Sequence, residues 1–335
     1  MLNFVTGGTG LLGSHIAEQL RLRGDVVRTL VRPGSDTRFL KSIGAKLCTG
    51  DLADKDPLDE AMRGVDAVFH CAAKVGDWGP RNAFQRDVLD ATRNVLDASH
   101  RAGVRRVIAI SSTSAYGHPK KGSGPVTEDS PLGLNPWLWD DYTLAKVEAE
   151  RMIWSFQRQT GLPVTVIRPS WMYGPRDRTS MPRLAASLKQ DRLRIVGDGH
   201  NRLNLIHAAN VAQACLLAAA NPEAVGQAYN ITNDGVITQR EFLSLLADAL
   251  RLTRPTRHVS YRIAFGVSFL LEAAYRTIHS PRPPFITRYA VWLLGRDTYY
   301  SIEKAQRELG WKSKIGYTEG IRTTAEWFRA NHERR

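Results

Sequence analysis

With 335 residues, 43% of them apolar and 24% charged, the chain is neither disordered nor fibrous, and is long enough for two domains or one domain with a lobe. Three widely spaced cysteines, Cys48, Cys71 and Cys215, exclude a disulfide framework and a cysteine zinc site, and fit a reducing, cytoplasmic compartment. The formal net charge of +13 suits an anionic ligand, but no zinc-finger or RNP signature accompanies it, so no nucleic acid is expected as a partner.

An apolar strand is predicted over residues 2–6, which leaves no room for a secretory signal. It runs into Gly7-Gly8 and then a helix predicted over 14–23, with glycines at Gly7, Gly10 and Gly13. A strand, a glycine turn and a helix N-terminus in that order make a phosphate site. The turn lets backbone N–H groups approach a pyrophosphate, and the positive end of the helix dipole faces it. The spacing is GxxGxxG rather than GxGxxG, so the usual fingerprint is met only in part. Further strands are predicted at 25–31, 46–48, 67–70, 107–110 and 164–168. Helices are predicted at 39–43, 57–63, 84–102 and 142–160. That alternation argues for a doubly wound parallel sheet, whose ligands bind beyond the carboxyl ends of the strands.

Past Arg168 the rhythm weakens into loops rich in Pro, Gly and Arg, with helices predicted at 208–220 and 240–251. The expected division is a dinucleotide-binding domain over 1–175, with return segments near 203–232, and a mainly helical substrate lobe over 176–335. Residues 261–296 stand apart. Their apolar run, 263–271, is too short to span a bilayer. Eight arginines against two acids between 251 and 300 give the profile of a weakly membrane-peripheral helix. The competing expectation is a lid over an apolar pocket, or a dimer contact.

Three features fall at the carboxyl ends of predicted strands: Ser111-Ser112-Thr113-Ser114, the helix opening Tyr142-Thr-Leu-Ala-Lys146, and Arg168-Pro169. Tyr142 and Lys146, at i and i+4, share a helix face. At that separation the ammonium is expected to lower the phenol's pKa, which otherwise lies near 10, too high for acid–base work at neutral pH. A Ser hydroxyl from the neighbouring strand is placed to bond the reacting oxygen.

TGGTGLLGSH, GDLAD, VFHCAAK, ATRNVL, VIAISSTSAYG, DYTLAK, RPSWMYGPRD, NLIHAANVAQA and KAQRELGW together resemble the extended short-chain dehydrogenase/reductases over nearly the whole chain. The C-terminal pattern is most similar to the 3β-hydroxysteroid dehydrogenase branch, with some likeness to the dihydroflavonol reductases. The resemblance implies a Rossmann-type fold and a homodimer through helices 84–102 and 142–160. It implies Ser112 orienting the substrate oxygen, Tyr142 as general acid or base, and Lys146 tuning Tyr142 and holding the ribose. Gly7, Gly10, Leu11, Leu12 and Gly13 would hold the pyrophosphate and Asp51-Leu52 the adenine. Ala72, Ala73 and Pro169 would border the cofactor. Arg32, where a NAD enzyme usually carries an acid, matches a 2′-phosphate and favours NADP(H) over NAD(H). Val88 stands where the family carries Asn. Ser112-Thr113-Ser114 stands where nucleotide-sugar dehydratases carry Thr-Asp-Glu.

Trp78, Thr113, Trp171 and Met172, with Trp137 and Trp139, are expected around the pocket and suggest a bulky apolar substrate. His70 and His207 read as structural. The expectation is a reductase or dehydrogenase acting between a ketone or aldehyde and a secondary alcohol, with no metal. A NAD-dependent nucleotide-sugar epimerase and a non-catalytic NADP(H) sensor are the rivals.

Overall fold

The computed structural model describes residues 1–120, 122 and 124–332. Seven parallel strands form one sheet in the order β10-β6-β5-β4-β1-β2-β3. They are β1 (Leu2–Thr6), β2 (Val26–Val31), β3 (Lys46–Thr49), β4 (Ala67–His70), β5 (Arg106–Ile110), β6 (Val164–Pro169) and β10 (Ala228–Ile231). The order reverses between β1 and β4, which opens a crevice at their carboxyl ends.

Adjacent residues of one strand serve opposite faces. Val5 packs with α1 (Leu11–Leu22) and α8 (Ala208–Ala220) through Ile16, Leu20, Val211 and Cys215. Phe4 packs with α3 (Lys55–Met62), α5 (Ala91–Arg101) and α6 (Asp141–Thr160) through Met62, Val95, Leu96 and Ile153. Both faces are covered, which is why these strands read as continuous apolar runs.

A buried ion pair ties α6 to the sheet. Arg168 Nε donates to Glu150 Oε1 at 2.9 Å, and both side chains are buried. Trp154 Nε1 and Ser111 Oγ also donate to Glu150, and Arg168 reaches the Tyr116 hydroxyl. Every oxygen of the carboxylate has a partner, as a buried charge requires.

The smaller lobe has its own core, with Met181 and Leu188 from α7 (Ser180–Lys189), Phe242, Leu243 and Leu246 from α9 (Gln239–Leu250), and Ile321 from α13 (Tyr317–His332). A short parallel pair joins β7 (Trp171–Tyr173), in a stretch that reads as a loop, to β9 (Leu205–His207). Segment 261–296 forms α10 (Tyr261–Thr277) and α11 (Arg288–Gly295), which pack on each other. A two-residue pair, β8 (Ile195–Val196) with β11 (His258–Val259), links them to the lobe. α12 (Glu303–Leu309) returns to the sheet side against β10 and α8.

The helix expected over 84–102 begins earlier, as α4 (Arg81–Phe84), and is interrupted by a π-turn over Gln85–Asp90 before α5. A π-turn holds one residue more than an α-turn. Val88 falls in an apolar cluster with Phe84, Leu89 and Ala149, while Asp87 borders the cavity described next.

Candidate active site

A cavity of about 890 Å³ opens at the carboxyl ends of the strands and extends under the lobe. At its inner end lies the glycine turn. Gly7 has φ +65°, which only glycine adopts without strain, and a Cβ there meets Ala72 N at 2.9 Å. A Cβ at Gly13 falls 2.2 Å from the Gly7 carbonyl oxygen, so α1 and β1 approach too closely for any side chain. Gly10 caps α1 with no side-chain hydrogen bond. Leu11, Leu12 and Gly13 therefore face the cavity with first-turn N–H groups that no capping side chain satisfies. That is the cradle a pyrophosphate fits.

Thr6 Oγ1 anchors the facing loop, accepting from Cys71 N and Ala72 N at 3.1 and 3.0 Å. His70 lies between Thr6 Oγ1 and Thr92 Oγ1, at 2.9 and 3.0 Å, and burial pushes its pKa down to about 3. It is a neutral core histidine. Asn94 Nδ2 donates to the Leu52 carbonyl and fixes the Asp51-Leu52 turn. Arg32, first residue past β2, and Ser35 both border the cavity. The next acid in the sequence, Asp36, does not border it and is held by Arg38 and Arg178.

Ser112 Oγ caps the short 3₁₀ turn Thr113–Tyr116, accepting from Ser114 N at 3.1 Å and donating to Ser114 Oγ at 3.1 Å. Ser114 Oγ meets the Tyr289 hydroxyl at 2.9 Å. Tyr289 comes from α11, and its ring stands edge-on to Tyr142 with centroids 5.7 Å apart. The structure therefore brings two phenols to the serine turn.

The surroundings of Tyr142 raise its pKa overall. Burial pushes the phenol up, and the charges of Asp140 and Asp77 add to that. Hydrogen bonding with Ser112 and Ser114 pulls it back. Lys146 borders the cavity and donates to the Ile110 carbonyl at 3.4 Å. Burial lowers its pKa to about 8 against the opposing pull of Glu150. A lysine at that value changes charge far more readily than a solvated one.

All the catalytic, cofactor and substrate residues singled out from the sequence border this one cavity except the tryptophans Trp78, Trp137 and Trp139. Trp78 Nε1 donates to the Ser280 carbonyl and its ring packs edge-on to Tyr275, so its indole latches the loop to the end of α10. Trp137 and Trp139 stay outside as well. Trp137 stacks on His118 at 3.8 Å, and the Arg288 guanidinium lies 3.5 Å over Trp139. Tyr289, Ser114 and Asp77 were not singled out. Ser114 ends the Ser111-Ser112-Thr113-Ser114 run, whereas no sequence signal marks Tyr289, because only folding brings α11 to β5. Asp77 accepts from Thr287 Oγ1, joining the loop after β4 to the start of α11.

A phosphate cradle beside a buried serine–tyrosine–lysine set is the arrangement of nicotinamide-dependent enzymes. The comparisons with known proteins agree. The family model for the NAD dependent epimerase/dehydratase family matches residues 3–232. The chain is 31% identical over 325 residues to the 2-alkyl-3-oxoalkanoate reductase of Stenotrophomonas maltophilia (strain K279a), covering 95% of this chain and 96% of that one. It is 31% identical over 336 residues to the decarboxylating sterol-4-alpha-carboxylate 3-dehydrogenase of Mus musculus, covering 97% and 90%. The structure of the dTDP-glucose 4,6-dehydratase DesIV of Streptomyces venezuelae, solved with NAD and TYD bound, superimposes with a TM-score of 0.79 at 25% identity, covering 99% and 98%. The chain belongs to the NAD-dependent epimerase/dehydratase family. It is an NAD(P)-dependent oxidoreductase of the extended short-chain dehydrogenase/reductase type, and it uses a nicotinamide cofactor.

Proposed function

We propose that the protein interconverts a ketone and a secondary alcohol on a bulky, hydrophobic substrate, using NADP(H). The observation that carries this reading is the half-buried Tyr142 phenol, bonded to the serine turn, in a cavity whose other end is the uncapped α1 cradle. The relatives named for oxoalkanoates and sterol carboxylates act on molecules that pair apolar bulk with an oxygen function. Trp171, Met172, Leu184, Leu193, Trp292 and Leu294 supply apolar walls for such bulk.

The cofactor fits the residues present. Gly7, Gly10 and Gly13 with the α1 N-terminus would hold the pyrophosphate, and Asp51-Leu52 would flank the adenine. Arg32 and Ser35 would take a ribose 2′-phosphate, Arg32 standing where a NAD enzyme carries its acid. Ala72, Ala73 and Pro169 would border the nicotinamide. When bound, the nicotinamide supplies or accepts a hydride. Ser112 Oγ donates a hydrogen bond to the substrate oxygen and orients it. Tyr142 gives its O–H proton to that oxygen in reduction and takes it back in oxidation. Lys146 holds the ribose and, as a cation, favours the phenolate that forms. The apolar walls exclude water from the exchange.

NADPH consumption with a panel of carbonyl compounds tests this reading. Apolar ketones are turned over by the wild type, and Tyr142→Phe loses about 10²–10⁴-fold in rate while still binding NADPH. Full activity in Tyr142→Phe overturns the mechanism.

A further inference from the structure

α10 is built inside out. Its buried positions are Ala264, Ser268 and Glu272, four residues apart. Glu272 accepts from the backbone N–H and Nε of Arg288 at 2.6 and 2.7 Å, which fastens α10 to α11. The outward face carries Ile263, Val267 and Leu270, which are 61%, 43% and 67% exposed, and Ile278 just past the helix is 71% exposed. Spacings of four and three put the first three on one stripe. A water-facing helix normally has the opposite arrangement, with its apolar stripe on the core.

Two further observations say what covers the stripe. First, Val267, Phe285 and Val75 are exposed and also border the cavity, so the apolar surface runs into the cavity mouth. Second, the exposed charges of the segment itself share one sign, while other elements bring Asp198 and Asp297 near Arg262 and Asp141 near Arg276. Arg262 lies in the first turn of α10, Arg276 in the last, and Arg282 just beyond, all exposed. Between residues 260 and 285 the one acid is the buried Glu272. Pairing this face with a second copy by a two-fold axis would set two arginine rims against each other. An anionic surface with an apolar interior complements both features.

We propose that this face seats the protein on an anionic lipid bilayer. Ile263, Val267 and Leu270 enter the headgroup boundary, the arginines meet lipid phosphates, and the cavity mouth opens toward the acyl region. No helix among the described residues is long and apolar enough to cross a membrane, so the contact is peripheral. The proposal deepens the functional reading and rests on its apolar substrate, which would pass from lipid to cavity without crossing water.

The test is co-sedimentation of the full chain with vesicles of phosphatidylcholine, alone or mixed with phosphatidylglycerol, at low and high salt. The same preparations are assayed for NADPH-dependent reduction of a water-soluble ketone. Ile263→Glu with Leu270→Glu changes only exposed positions that do not border the cavity. The expected result is binding to phosphatidylglycerol vesicles that is weakened about tenfold or more by high salt and by the double substitution. Soluble-ketone turnover and the melting curve stay unchanged. Absence of binding to anionic vesicles at low salt overturns the proposal, as does equal binding by the double variant. So does a sedimenting dimer that the double variant dissociates, which assigns the face to a second copy. Vesicle binding without any ketone turnover leaves docking standing and removes the functional reading instead.

Discussion

The hydroxyl of Tyr289 lies 2.9 Å from Ser114 Oγ, and Ser114 in turn bonds the Ser112 hydroxyl. A residue of the lobe thus completes the polar chain that begins at Tyr142. Closing the lobe on the sheet and setting the serine turn are one event.

Tyr289→Phe should therefore lower kcat/KM for ketone reduction about tenfold, the worth of one buried hydrogen bond (~1.4 kcal/mol). NADPH affinity should not change, because Tyr289 borders the substrate end of the cavity. Fluorescence titration alongside steady-state rates separates the two. A loss confined to NADPH binding would contradict the assignment.

Arg32→Asp should reverse nucleotide preference. Charge-assisted hydrogen bonds contribute about 1.5–3 kcal/mol each, so the NADPH:NADH ratio of kcat/KM should fall by about tenfold to hundredfold. An unchanged ratio would show that the arginine serves only the turn.

Gly13→Ala should leave a folded protein that binds nicotinamide cofactor at least about a hundredfold more weakly, a loss near 2.7 kcal/mol. The added methyl can be housed only by opening the turn from the Gly7 carbonyl. Gly266→Ala is the contrast, with open space around its Cβ on exposed helix. It should stabilise the chain by up to about 1 kcal/mol in urea unfolding.

Glu150→Gln strands Arg168 in the interior and should cost about 3–5 kcal/mol of unfolding free energy. Glu150→Leu combined with Arg168→Met should recover most of that loss. A double variant no better than the single one would mean the pair is needed for packing rather than charge balance.

Acid should destabilise the fold before its carboxylates titrate. His70 and His207 are buried with pKa values down to about 3, and burial also lowers His15. The unfolded chain takes up those protons near pH 6.5, while the native state does not. Stability is therefore complete above about pH 6.5 and falls below it, by about 1.4 kcal/mol per pH unit for each histidine. His207→Asn keeps an acceptor for the Ala209 N–H that His207 Nδ1 now serves. It should flatten the slope of the urea midpoint between about pH 6.5 and 4.5 by one proton's worth.

The sheet was legible because its signals are local. The apolar runs, the glycine turn and the helix ends at Gly24, Gly103 and Gly161 each depend on neighbouring residues. The serine–tyrosine–lysine set was legible because its helix and strand follow one another in sequence. β7 and β9 are three residues each and are held by pairing with each other, which local pattern does not reveal. α10 was hard to orient because its apolar residues face outward, so its periodicity points away from the core. Trp78 was misplaced because a tryptophan beside a strand end suits a latch as well as a pocket wall. The spacing to Lys146 does not show that folding buries the Tyr142 phenol or brings Asp77 to it from another segment, and both raise its pKa.

The π-turn over Gln85–Asp90 gives this chain an economical route to change. Deleting one residue there would restore an ordinary helix and rotate everything on its N-terminal side by about 100°. Asp87, whose carboxylate lies under the influence of Arg32 and Lys74, would swing out of the cavity with no side chain exchanged. The place of that carboxylate, which Arg86 already pairs, is thus set by a count of residues as much as by their identity. Loss of a single codon would be enough to reset it.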